Sequence, residues 1–125
     1  MSKIDFKKIG KTLRLRRRKK GLTLEMIAKY VGVSFNYISE LERGDKKKVP
    51  SDDVLIKLAE ILSIDEKEIF EGFGKLPNSL VQELEQNETL LNTLYEIRNN
   101  PNLTDIDRNA IYMEIRKLYL KHLGK

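Results

Sequence analysis

The chain has 125 residues, 40% of them apolar and 34% charged, with no cysteine and one histidine. That suits a helix-rich globular chain of one small domain with an appendage, and it excludes disulfides, thiolate metal sites and cysteine nucleophiles. The net charge of +5 is unevenly held: residues 1–50 carry 15 Lys/Arg against 5 Asp/Glu, and residues 51–125 carry 9 against 14, so the first half suits a polyanionic partner and the second does not.

The first helix is expected over about Asp5 to Lys20, with Phe6, Ile9 and Leu13 on one face and Gly21 at its end, where a left-handed cap belongs. Thr23 is a good N-cap for a short second helix, Leu24 to Val31, which Gly32 breaks. Ser34 caps a third helix running to Arg43, with Gly44 as its stop. A basic loop, Asp45 to Val49, leads to Pro50-Ser51 and a fourth helix, Asp52 to Leu62, with a broad apolar stripe. Asp65 caps a fifth helix ending near Phe70. Two glycines and a proline in residues 71–79 mark a junction. Beyond it, Leu80 to about Asn99 is helical, with the polar patch 86–89 as a point of interruption, and Thr104 caps a last helix, Asp105 to about His122. The histidine is accounted for by its place at that helix C-terminus. Strand alternation and hairpin turns are missing, so the fold class is all-α.

The second and third helices, joined at Gly32, have the layout of a helix-turn-helix, whose second member is the recognition helix. Ala28 has to be small beneath the crossing helix, Gly32 supplies the turn, and Val33, Ile38 and Leu41 face inward. Together with Ile9-Gly10, Leu13, Arg17, Gly21-Leu22-Thr23, Gly32-Val33-Ser34, Ile38-Ser39, Leu41-Glu42-Arg43-Gly44, Pro50-Ser51, Leu58-Ala59, Leu62 and Ile69-Phe70, these residues resemble the lambda-repressor-like (Cro-like, XRE) helix-turn-helix family. The resemblance covers about residues 6 to 70. It implies a five-helix bundle on double-stranded DNA, bound as a dimer to two half-sites, in a prokaryotic or phage regulator that is cytoplasmic and nucleoid-associated when bound. It also implies that Arg17 pairs with Glu42. Two positions depart from the family: Leu24 stands where a phosphate-gripping glutamine is usual, and Ser63 where glycine is usual after the fourth helix.

With the junction at residues 71–79, the chain is expected to divide into a DNA-binding domain (1–72, motif about 24–43), a linker (73–79) and a C-terminal helical hairpin (80–125), a layout that resembles SinR-type repressors. Phe35, Asn36 and Glu40 occupy the family's base-reading positions. Asn36 suits adenine N6/N7, Glu40 suits cytosine N4 and Phe35 a thymine methyl, each worth roughly 1–3 kcal/mol of discrimination. Glu40 is equally placed to repel phosphate or to pair within the protein. Phosphate contacts are expected from Arg17, Thr23, Ser34, Tyr37, Ser39, Arg43, Lys46, Lys47 and Lys48. About six to ten such contacts would lower affinity roughly 10³–10⁵-fold between 50 and 200 mM salt.

In the C-terminal region Leu84, Leu91, Leu94, Ile111, Ile115, Leu118 and Tyr119 offer more apolar surface than one partner helix covers. Pairing with a second copy is expected there, the alternative being packing onto the bundle; an antirepressor or other protein could use the same surface. A second reading makes the chain an antitoxin-type module that neutralises a partner through these helices and binds DNA secondarily. No metal cluster, nucleophile–histidine pair or phosphate-cradling glycine loop is present, so neither enzyme, cofactor nor metal is expected. No apolar run reaches the ~18 residues of a membrane span, and no secretory h-region follows the N-terminus.

Overall fold

The computed structural model describes residues 4–45 and 48–124. The regular elements among them are all helices: α1 (Phe6–Lys19), α2 (Leu24–Val31), α3 (Phe35–Arg43), α4 (Asp52–Leu62), α5 (Glu66–Gly72), α6 (Asn78–Gln86), α7 (Glu88–Asn99) and α8 (Asp105–His122). Two compact units result, Met1–Val81 and Gln82–Lys125. The division falls inside α6. The segment expected as a linker instead begins with Phe73, 1% exposed in the core, and Lys75 donates to the Pro50 carbonyl at 3.3 Å.

Side-chain caps set where the helices of the first unit begin. The Asp5 carboxylate accepts from the Lys8 N–H at 3.0 Å, Thr23 from Met26 at 3.1 Å and Ser34 from Tyr37 at 3.0 Å. Ser51 and Asp65 do the same for α4 and α5. Each satisfies an N–H that the first turn leaves unpaired, typically worth ~1 kcal/mol. Gly32 (φ 83°) and Gly44 (φ 74°) end α2 and α3 in the left-handed region. Ser63 ends α4 at φ 55° without being glycine. Arg16 of α1 and Lys20, the residue that caps its C-terminus, hold it: Arg16 Nη1 donates to the Ser63 carbonyl at 2.7 Å, and Lys20 Nζ to its hydroxyl at 2.6 Å.

The core gathers Ile9 and Leu13 of α1, Ile27 and Val31 of α2, and Ile38 and Leu41 of α3 against Leu55, Leu58 and Leu62 of α4. Ile69, Phe70 and Phe73 close it from below. Burying a side chain of this size contributes ~1.5–3 kcal/mol. Gly10 sets the closest approach, since a Cβ there would lie 2.4 Å from the Leu41 carbonyl oxygen and 2.6 Å from that of Glu42. The backbones of α1 and α3 meet directly at this point.

The helical stretch expected over about 80–99 is interrupted within the polar patch 86–89, at Asn87, whose side chain accepts from the Leu90 N–H at 2.9 Å to start α7. Helices α6, α7 and α8 hold no buried residue. Leu84, Leu94 and Ile111 are half-buried, while Leu91, Ile115, Leu118 and Tyr119 are exposed. Thr104 and Asp107 form a reciprocal capping box at the start of α8. The two hydrogen bonds to Thr104 hold the Asp107 carboxyl below its usual pKa.

Candidate nucleic-acid interface

The turn between α2 and α3 hangs on one carbonyl. Ala28 O accepts from the Gly32 N–H at 2.8 Å and from the Val33 N–H at 3.0 Å. Nothing lies within 4 Å of a Cβ built on Gly32. The need for glycine there is one of backbone conformation alone, the opposite of Gly10, where it is one of space. Ile38 and Leu41 bury the inner face of α3, which leaves Ser34, Phe35, Asn36 and Arg43 exposed and Ser39 and Glu40 partly so.

One carboxylate at the end of α3, that of Glu42, fixes its position against α1. Arg17 donates to Glu42 through Nε at 2.6 Å and Nη2 at 3.1 Å, and to the Leu22 carbonyl through Nη1 at 3.0 Å. Its side chain is 12% exposed and that of Glu42 4%. Arg14 stands 3.7 Å from the same carboxylate. The donors of Arg17 therefore face inward, in the fastening role, and not toward an external phosphate.

The hydroxyls of Thr23 and Ser34 use their oxygens as cap acceptors, which leaves each O–H able to donate outward. Arg43 lies along the outer face of α3, where it pairs with Asp45 at 2.8 Å and donates to Ser39. Tyr37 is half-buried on the other flank, beside Val49 and Pro50. Burial raises its pKa, so the hydroxyl remains a donor at neutral pH. Lys48 is exposed. Lys46 and Lys47 lie outside the described residues.

Sequence reasoning missed one part of this face. Lys7, Lys11, Arg14 and Arg18 are all exposed and line one depression with Arg43. Their spacing of four, three and four residues puts them on a single stripe of α1, about 16 Å long at the helical rise. Six cations lie from Arg14 to Lys20, and only the helical spacing singles out Arg14 and Arg18 as members of this stripe.

Residues 13–69 match the helix-turn-helix family model. This segment is similar to helix-turn-helix domains. The chain is also 36% identical over 64 residues to the HTH-type transcriptional regulator SlrR of Bacillus subtilis (strain 168), an alignment covering 51% of this chain and 41% of SlrR. The chain thus matches about two fifths of that relative's length. Two solved structures are similar. The clp gene regulator ClgR of Corynebacterium glutamicum is 28% identical, with 74% of this chain and 92% of that one covered and a TM-score of 0.46. A SinR protein/SinI protein complex is 21% identical, with 87% and 97% covered and a TM-score of 0.46.

Within the matched segment, α3 is the second helix of the α2–turn–α3 pair, and its first turn carries no acidic residue to offset the positive end of the helix dipole. Among the described residues no group of three or more His, Asp or Glu could hold a metal ion, and no helix is long and apolar enough to cross a membrane.

Proposed function

We propose that the protein is a sequence-specific, double-stranded-DNA-binding transcriptional regulator, a repressor that lays α3 in the major groove. The observation that carries this reading is the outer face of α3. Asn36 and Phe35 stand exposed at its first turn, while its inner face is locked to α1 by Gly10 and by the Arg17–Glu42 pair. Such a rigid platform is what base readout needs. Asn36, Phe35 and Glu40 read bases in this reading. Thr23, Ser34, Ser39, Arg43 and Lys48 position phosphates, and the stripe Lys7–Lys11–Arg14–Arg18 follows one strand's backbone beside the groove.

A single recognition helix has a small footprint. The second unit supplies a reason for pairing, since Tyr95, Ile106, Met113, Leu118 and Tyr119 are 53–81% exposed and α8 carries apolar residues around most of its circumference. A helix of that kind is normally covered. A second copy is the occupant we infer, giving a dimer on a palindromic operator whose half-sites lie about 34 Å apart or a multiple of it.

Selection of bound DNA from a random pool tests the reading. An enriched palindrome, with Asn36→Ala relaxing the preference at one base pair in each half-site, is the expected result. Binding that tracks salt alone, with no sequence enriched, would overturn it.

A further inference from the structure

The departure at Leu24 has a structural counterpart. Leu24 packs against the core on one side. On the other it lines a shallow depression of about 330 Å³ with Leu22 and Phe35, rimmed by Arg17, Thr23 and Glu25. Phe35 is 47% exposed, so an apolar surface lies open at the foot of α3.

The floor and the charged groups around it argue against a phosphate inside the depression, while the outward Thr23 hydroxyl at its edge is left to a phosphate outside it. Leu24 offers no side-chain donor, Arg17 has its guanidinium on Glu42 and Leu22, and Glu25 places a carboxylate in the first turn of α2. An anion would meet an apolar floor and a like charge. DNA displays one apolar group in its major groove, the C5-methyl of thymine.

We infer that Leu24 and Phe35 together form a methyl-reading notch, which makes Leu24 a specificity-determining residue that demands thymine next to the base met by Asn36. This rests on the regulator reading above and adds a base identity to it. Replacement of the polar gripping side chain by leucine then trades a sequence-blind backbone contact for a sequence-dependent one.

The test titrates the full-length protein onto its selected operator, with deoxyuridine replacing thymine at one position at a time. This removes the methyl and leaves every hydrogen-bonding edge intact. Affinity is expected to fall about fourfold at one position per half-site, the equivalent of ~0.8 kcal/mol for one methyl-sized group. In Leu24→Ala, with folding checked by circular dichroism, that ratio should approach one. A leucine that only packs the core would lower stability and affinity together and leave the ratio unchanged. Indifference of the wild-type protein to every substitution, or an undiminished ratio in Leu24→Ala, overturns the inference while the regulator reading stands. Failure to enrich any sequence overturns both.

Discussion

Arg17 grips Glu42 with two donors, at 2.6 and 3.1 Å, across 25 residues of sequence, and ties α1 to the last turn of α3. Both side chains are largely out of water, so the pair acts as a fixed joint and not as a surface ion pair. Removing one partner strands the other's charge. Glu42→Ala should cost about 3 kcal/mol, measured by urea denaturation. The double replacement Arg17→Met with Glu42→Leu should recover most of that loss, because it removes both buried charges. Arg17→Lys should not rescue, since an ammonium cannot reproduce the two-point geometry.

Gly10→Ala should destabilise the bundle by about 2 kcal/mol or more. The added methyl meets backbone oxygens of Leu41 and Glu42, not a side chain that can rotate away. Operator affinity should fall further than the lost stability explains, because α3 is displaced. Comparing melting temperature with DNA binding at a temperature where the variant is fully folded separates the two effects.

Ser63→Gly should stabilise the protein by about 1 kcal/mol, seen as a rise of a few degrees in melting temperature. Ser63 sits at φ 55°, where glycine carries no Cβ penalty. The hydroxyl contact from Lys20 is lost, but it is exposed and worth little.

Lys11→Ala and Arg18→Ala should each weaken binding to all DNA sequences alike and reduce the slope of log affinity against log salt by about 1. Base preference should not change. A shift in preference, or an unaltered slope, would remove the α1 stripe from the interface.

Ile115→Glu with Leu118→Glu should leave the helix-turn-helix domain folded and convert the protein to a monomer in sedimentation experiments. Both side chains are about half exposed in one copy, 48% and 57%, so a charged end can reach water without being buried within the chain. A dimer that persists would place the contact elsewhere.

The helices were legible because their punctuation is local. Thr23, Ser34, Ser51, Asp65 and Thr104 each cap the element they precede, and Gly32 and Gly44 stop two of them, so no long-range information was needed. Gly10 was visible only as part of a family resemblance, since the oxygens it avoids belong to residues 41 and 42. The cationic stripe was hidden by a denser run of charges on other faces of the same helix. The break at Asn87 depended on one amide side chain among several polar neighbours. Exposure in the second unit was the least legible feature: apolar periodicity says that a face wants cover, not whether the same chain provides it.

The contact at Gly10 has a consequence for what kind of target the protein can tolerate. A reading helix seated backbone to backbone on its neighbour cannot tilt or slide to suit an awkward site. Any misfit has to be absorbed by the other molecule. Among operators with identical contacted bases, those whose untouched central steps bend or twist easily would then be held more tightly, and the stiffness of the double helix would become part of the message.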